Sequence, residues 1–148
     1  MEPIPETMMA WKKTKPVEGG FELLETKVPT PRNGEVLVRT HSTSICGTDI
    51  HIWKWDDWAS ENVPPGTITG HETCGTVVAV GDGVTTHKIG DEIAVECHLA
   101  CWDCDRCDEG NAHICENGKI FGVHTDGAFA PYFTIPSINA RHLPDNLP

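Results

Sequence analysis

The sequence predicts a mainly β domain, a barrel or a sandwich, that carries short helices and embellishing loops. Glycine and proline, 14 and 11 of the 148 residues, interrupt the chain too often for long helices. Short segments rich in β-branched residues recur between these turn residues, without the long helical periods that parallel crossovers need. The length suits a single domain, and a hydrophobic content of 39% is sufficient for one core.

Each expected strand follows a turn signal. A tail of about eight residues comes first, and the cluster Pro29, Pro31, Asn33 and Gly34 separates the first two strands. The run Gly81-Asp82-Gly83 is interpreted as a hairpin turn after the third strand. The expected strands span residues 21–28, 35–40, 75–80, 92–96 and 129–135.

Two segments interrupt the strand pattern. Residues 46–58 are expected to begin as a short helix with Cys46 near its first turn. Residues 101–115 are polar and dense in cysteine, and they are expected to protrude as a lobe. The chemistry of the chain is expected in these two segments.

Charge and hydropathy exclude two classes of function. Acidic residues number 22 against 11 basic ones, a net charge of -11, and the basic residues are scattered, so nucleic-acid binding is disfavoured. No run approaches the roughly 18 to 20 apolar residues of a membrane-spanning helix. The N-terminal segment also lacks the apolar core of a secretory signal. We therefore expect a cytoplasmic protein with no membrane partner.

The protruding segment contains four of the seven cysteines in the spacing Cys-x2-Cys-x2-Cys-x7-Cys. This spacing lets one loop gather four thiolates into the tetrahedron that Zn2+ prefers. Because four sulfurs fill the coordination shell, such a zinc is expected to be structural. Disulfide pairing is disfavoured in a chain without an export signal, and an iron–sulfur cluster is a weaker alternative. The candidate ligands are Cys101, Cys104, Cys107 and Cys115.

A second group of candidate residues is split between two distant segments. Cys46, Thr48 and His51 lie close together, and His71 with Glu72 follows farther along. Singly, such residues are more often buried thiols or surface imidazoles than metal ligands. Together they predict an open zinc site in which Cys46, His71 and a carboxylate leave one position for water or an alcohol. Zinc would lower the pKa of the hydroxyl there, and Thr48 could pass its proton to His51.

Three motifs resemble the zinc-containing medium-chain alcohol dehydrogenases. They are Cys46-Gly47-Thr48-Asp49-x-His51, then Gly70-His71-Glu72-x2-Gly75-x5-Gly81-x2-Val84, then the four-cysteine lobe. The resemblance spans nearly the whole chain and implies a GroES-like barrel with a zinc-binding lobe. Within the family, segments 51–59 and 119–130 are most similar to the members that oxidise L-threonine. Polyol dehydrogenases of the sorbitol type are the nearest alternative.

The resemblance also implies roles for individual residues. Cys46 and His71 would bind a catalytic zinc, and Glu72 would be a carboxylate that can join or leave its shell. Thr48 and His51 would form the proton relay. The four lobe cysteines would bind a structural zinc.

Three further features leave alternatives open. Asp49 is expected to orient His71 or to hold its loop rather than to bind metal. His98 is expected either to line the substrate pocket or to remain a surface residue. The tryptophans of segment 53–58 are expected either to favour threonine by resemblance or to form a packed wall or a subunit contact.

The family transfers hydride to NAD(P)+, which a second, doubly wound domain holds through a glycine-rich turn. The run Gly81-Asp82-Gly83 lacks the third glycine and the following helix of such a turn, so residues 1–148 are expected to form the GroES-like catalytic domain without a nucleotide-binding domain. We expect this chain to be inactive alone, with residues 145–148 connecting to the further domain. The full-length enzyme is expected to be a homo-oligomer acting on a small alcohol. A non-catalytic, zinc-stabilised scaffold domain is the alternative.

Overall fold

The structure, a computed structural model, describes residues 3–144 and residue 146. The connector expected at residues 145–148 therefore lies outside the described residues, apart from Asn146. The predicted fold class is confirmed, because the described chain is mostly strand, with few helices and a curled sheet that forms half a barrel.

The strands form three antiparallel sheets. In chain order they are β1 (Thr7–Lys13), β2 (Phe21–Lys27), β3 (Glu35–Thr43), β4 (Thr67–Ile68), β5 (Thr73–Val80), β6 (Glu92–Val95), β7 (His98–Leu99), β8 (Lys119–Ile120), β9 (Tyr132–Pro136) and β10 (Ala140–His142). The sheet orders are β2-β1-β4, β10-β6-β5-β3-β9 and β7-β8. The α-helices are α1 (Gly47–Lys54), α2 (Asp57–Asn62) and α3 (Asp105–Asp108). None of the helices among the described residues is long and apolar enough to cross a membrane.

The main core lies against the five-stranded sheet. Its aliphatic members alternate along the strands, as Val36 and Val38 do in β3, because successive side chains of a strand point to opposite faces. The rings of Phe121 and Phe133 pack at a centroid distance of 5.2 Å and fill its centre. A smaller cluster beneath α1 and α2 contains Ile52, Ala59, Val63 and Val123.

Strand β1 was not predicted, and the expected tail of about eight residues overlaps it only at Thr7 and Met8. Met8 and Ala10 are buried while Met9 and Trp11 are half exposed, which is the alternation of a strand with one covered face. The strand ends at Lys13, a fully buried residue whose Nζ donates hydrogen bonds to the carbonyls of residues 17 and 19. Burial lowers the pKa of Lys13. The strand gives no alternating signal in the sequence, because residues 8–11 are all apolar although two of them are half exposed.

The predicted hairpin turn at residues 81–83 is a turn, but it opens the longer connection from β5 to β6. The two strands pair only through Cys74–Thr76 and Glu92–Ala94. The turn instead bonds to the entry of β3, where Gly81 N donates to Glu35 O at 2.9 Å and Gly34 N donates to Asp82 O at 2.8 Å.

Candidate metal centres

The pairing of β3 with β5 brings the two halves of the candidate open site together. The last residue pair of this antiparallel pairing is Thr43 opposite Thr73. Cys46 follows Thr43 by three residues, and His71 precedes Thr73 by two. Cys46 Sγ and His71 Nε2 therefore meet at 3.1 Å, although they lie 25 residues apart in sequence.

Gly70 fixes the backbone that presents His71. Its φ is +90°, and a Cβ at this position would lie 2.7 Å from the ring of Phe129. A Cβ on Gly127 would lie 2.2 Å from Gly70 O, so the two segments cross almost backbone to backbone. Ala128 N donates to Gly70 O at 2.8 Å across this crossing. Position 70 therefore requires glycine, because any side chain would clash where the backbone turns to present His71. This explains the Gly-His pair of the motif.

Cys46 is the N-cap of α1, and the cap sets the direction of its thiol. Its Sγ accepts a hydrogen bond from Thr48 N at 3.3 Å. Asp49 Oδ2 in turn accepts one from Cys46 N at 2.9 Å, which completes a capping box with Cys and Asp in place of Ser and Glu. The helix start therefore holds the sulfur beside the imidazole.

The other oxygen of Asp49 faces His71. Oδ1 lies 3.8 Å from His71 Nδ1, and both side chains are only 7% exposed. Neither atom has a hydrogen-bond partner, so a small closing movement would satisfy both. This contact matches the expected role of Asp49, which is to orient His71 and to hold its loop. Carboxylates of this kind orient zinc-binding histidines in many proteins.

The donor set fits zinc. In a tetrahedral site with the usual bond lengths, a thiolate sulfur and an imidazole nitrogen lie about 3.5 Å apart. The observed 3.1 Å between Cys46 and His71 requires an opening of only a few tenths of an ångström. Donor atoms of Cys46, Asp49 and His71 all lie within 4.8 Å of one another.

Glu72 lies next to this group but turns toward β3. Its side chain is exposed, and Oε2 accepts a hydrogen bond from Ser44 Oγ. The pKa of Glu72 is lowered, mainly by this hydrogen bond, with smaller contributions from Cys46 and from the charge of His71. Glu72 does not belong to the group of close donor atoms formed by Cys46, Asp49 and His71, and its coordination of zinc stays a prediction.

Thr48 and His51, one helical turn apart on α1, open onto the same cleft of about 430 Å³. The other lining residues are Asp56, Asp57 and Trp58. His51 Nδ1 is hydrogen-bonded to Asp56 Oδ2, a partner that the sequence did not reveal. The signal that could have found it is the N-cap position of Asp56 before a second helix.

The four lobe cysteines converge as predicted by their spacing. Three of their sulfur–sulfur distances are 3.6 Å, 3.8 Å and 3.4 Å, joining Cys104 to Cys107, Cys104 to Cys115, and Cys101 to Cys115. A tetrahedron of thiolates around Zn2+ has edges of about 3.8 Å, whereas a disulfide is about 2.0 Å long. All seven cysteines are free thiols in this structure. The cluster therefore fits a zinc with four sulfur ligands.

The lobe has almost no apolar core of its own. The two-residue ladder of β7 with β8 closes its base, and between Cys101 and Lys119 only Cys107 is buried. The backbone N–H groups of Cys107 and Glu116 lower the pKa of Cys104 to about 7, while desolvation raises the pKa of Cys107 to about 12. Deprotonation of all four sulfurs at such short distances would require a cation, and Zn2+ is the one that their number and spacing fit.

His98 and the tryptophans of segment 53–58 do not come together in one site. His98 Nδ1 lies 2.7 Å from Glu96 Oε1, and the half-exposed His98 is not among the residues lining the Thr48–His51 cleft. Trp58 lines that cleft, Trp53 is 46% exposed, and Trp55 packs against Lys13 at 4.8 Å. The tryptophans therefore do not form one wall.

Comparison with known proteins agrees with this fold. Residues 32–145 match the alcohol dehydrogenase GroES-like domain, and the chain belongs to this family. It is 50% identical to an L-threonine 3-dehydrogenase of Pyrococcus furiosus over 143 residues, which cover 97% of this chain and 41% of that protein. The chain thus spans about two-fifths of the length of the curated relatives it matches.

Solved structures agree as well. A thermostable alcohol dehydrogenase from Pyrobaculum aerophilum with bound cobalt and zinc is 30% identical, with a TM-score of 0.84 over 95% of this chain and 43% of that one. The D-arabinose dehydrogenase from Sulfolobus solfataricus is 29% identical, with a TM-score of 0.82 over 96% and 42%.

Proposed function

We propose that this chain is the GroES-like catalytic domain of a zinc-dependent oxidoreductase that oxidises a secondary alcohol, L-threonine above all, by hydride transfer to NAD(P)+. The cofactor would be held by a nucleotide-binding domain outside residues 1–148, and the chain alone would not turn over. The observation that carries the proposal is the approach of Cys46 Sγ to His71 Nε2 at 3.1 Å beside the cleft of Thr48 and His51.

In this proposal Cys46 and His71 hold the catalytic zinc, with Glu72 able to join them, while the four lobe cysteines hold a structural zinc. A zinc bound at the open site would act as a Lewis acid toward the alcohol oxygen. Asp49 keeps His71 Nε2 directed at Cys46, because its carboxylate lies against Nδ1. The capping box keeps the Cys46 thiol at the site.

Thr48 and His51 would move the proton of the substrate hydroxyl. The Thr48 hydroxyl accepts it and donates its own proton to His51, whose side chain is 60% exposed and can release it to water. The cleft is open enough to admit a small alcohol. Free thiols throughout the chain support a reducing, cytoplasmic location. The half-exposed Met9, Trp11 and Leu23 on the β1–β2 sheet support self-association in a homo-oligomer.

The names of the curated relatives favour L-threonine as the substrate. The similarity to a D-arabinose dehydrogenase keeps a polyol-type substrate as the second candidate. A scaffold domain without catalysis is the third reading, and it would need only the lobe zinc.

The test is a fusion of this chain with the portion of the Pyrococcus furiosus relative that the chain does not cover. Reduction of NAD+ is followed with L-threonine, sorbitol and ethanol, and the unfused chain serves as the control. We expect turnover with L-threonine in the fusion and none in the unfused chain. Thr48→Ala should lower turnover by about 100-fold with bound zinc unchanged. A folded, zinc-loaded fusion that is inactive on all three alcohols would contradict the proposal, and preference for sorbitol would favour the second candidate.

A further inference from the structure

Asp56 is the one side chain of the described residues to which the imidazole of His51 is hydrogen-bonded. The bond joins His51 Nδ1 to Asp56 Oδ2. The Trp58 ring meets the imidazole edge-on, with centroids 6.3 Å apart and an interplanar angle of 66°. The ring of His51 is therefore held on two sides, and Nε2 is the nitrogen left for other partners.

The backbone brings Asp56 to His51 through an unusual turn. Helix α1 ends at Lys54 and is followed by its C-cap, Trp55, whose φ of 56° and ψ of 48° are left-handed. Trp55 N donates to His51 O at 3.0 Å. This conformation is uncommon for a residue with a side chain. Trp55 is stabilised there by packing beneath Lys13 Nζ. The chain consequently doubles back, and Asp56 lies beside a residue five positions earlier.

The carboxylate of Asp56 is held by both of its oxygens. While Oδ2 faces His51, Oδ1 accepts a hydrogen bond from Ala59 N at 3.0 Å as the N-cap of α2. The two bonds lower the pKa of Asp56, the one from His51 more than the one from Ala59, so the group stays ionised at neutral pH. An ionised carboxylate only accepts hydrogen bonds, so His51 must be the donor.

We propose that Asp56 is a positioning residue that fixes the proton of neutral His51 on Nδ1 and leaves Nε2 as the acceptor. The hydrogen bond at one ring nitrogen decides the protonation of the other. In the relay the substrate O–H bond breaks and its proton bonds to Thr48 Oγ1, while the original Thr48 O–H bond breaks and that proton bonds to His51 Nε2. The resulting imidazolium is stabilised by Asp56. The same Nε2 then loses its proton to water, while Asp56 stays a carboxylate throughout. The relay step rests on the proposed function, whereas the assignment of the Nδ1 proton does not.

The neighbouring residue Asp57 provides a matched control. It lines the same cleft and carries the same charge, yet it has no hydrogen bond to His51. Asparagine is as good an N-cap as aspartate, so Asp56→Asn should preserve the start of α2 while removing the anionic acceptor.

The first experiment is nitrogen NMR of the His51 ring in this chain at about pH 8.5, where imidazoles are mostly neutral. We expect the proton on Nδ1 in the wild type and in Asp57→Asn. In Asp56→Asn the amide can donate to Nδ1, so the proton should move to Nε2. Asp56→Glu should keep the wild-type tautomer. Two results would overturn the proposal. One is a wild-type His51 with its proton on Nε2, and the other is an Asp56→Asn variant with the same tautomer as the wild type.

The second experiment uses the fusion protein described above. Asp56→Asn should lower kcat by about 10- to 100-fold at unchanged zinc content, with Asp56→Glu restoring part of the loss. Unchanged turnover in Asp56→Asn would refute the catalytic consequence. If the wild-type fusion is inactive, the proposed function fails, and the NMR result still decides the role of Asp56.

Discussion

The two candidate zinc centres are built in opposite ways. The lobe takes all four ligands from a segment of 15 residues with one buried side chain, so its geometry depends on the metal. The centre at Cys46 and His71 takes its ligands from two segments that a strand ladder and a glycine crossing already hold together. A metal would hold the lobe together, whereas the barrel strands already hold Cys46 and His71 together. A four-ligand site can therefore be formed by one short segment of sequence. A site that leaves a coordination position free for a substrate needs ligands held in place by the surrounding fold.

The largest effect is expected from Cys107→Ser. Removing one of four ligands should abolish zinc binding in the lobe, because no apolar core replaces the metal there. Zinc content should fall by one ion per chain, and protease should cut within residues 101–118 while the barrel stays folded. Cys74→Ser is the control, since Cys74 lies in β5 outside the donor groups. A lobe that resists protease without zinc would contradict the view that its structure depends on the metal.

Cys46→Ser is expected to act on the other centre alone. Serine can replace the thiol as the N-cap, so α1 should remain, but a hydroxyl is a poor zinc ligand. Zinc affinity at this centre should fall by about 100-fold or more, as measured by competition with a chelator, while the lobe keeps its ion. Loss of the lobe zinc in this variant would show that the two centres are not independent.

Asp49→Asn should weaken the open site less. The amide oxygen can still accept from Cys46 N, but the charge facing His71 Nδ1 is lost. Loss of such an orienting carboxylate reduces metal affinity by about 10- to 100-fold. Isothermal titration with Zn2+ measures the change, and far-ultraviolet circular dichroism serves as the control for the fold. An unchanged affinity would mean that Asp49 serves only the helix.

The smallest effect is expected for the stability that Glu72 contributes as the pH falls. Its pKa is lowered in the folded chain, so the stability it contributes is present above its ordinary pKa of 4.5 and is lost as the pH falls through the lower folded value. Ser44→Ala removes the largest cause and should raise the pKa of Glu72 toward 4.5, as carbon NMR of the carboxyl group would measure. If the pKa of Glu72 stays low in metal-free Ser44→Ala, then Cys46 and His71, rather than Ser44, are the main cause of the lowered pKa.

The sequence revealed both centres for different reasons. The lobe was readable because its ligands are consecutive along one loop, and spacing alone determines which sulfurs meet. Cys46 and His71 were predicted from their residue types together and from resemblance to a family, but no local pattern encodes the pairing of Thr43 with Thr73 that brings them together. Five of the ten strands of the described residues, β2, β3, β5, β6 and β9, followed from composition, alternation and turns. Strand β1 and the short strands β4, β7, β8 and β10 were not predicted.

The N-cap position of Asp56 could have been predicted from the sequence, but its contact with His51 could not. Its contact with His51 depends on a left-handed backbone at Trp55, and tryptophan gives no signal for that conformation. The buried Lys13 that packs over Trp55 is 42 positions earlier in the chain. Such a contact arises from tertiary packing and is visible only in three dimensions.

The most direct test of the account is anomalous diffraction at the zinc edge from crystals of this chain soaked in Zn2+. The account predicts two peaks, one among the four lobe sulfurs and one between Cys46 Sγ and His71 Nε2. A lobe peak alone, with Cys46 and His71 turned away from each other, would contradict it.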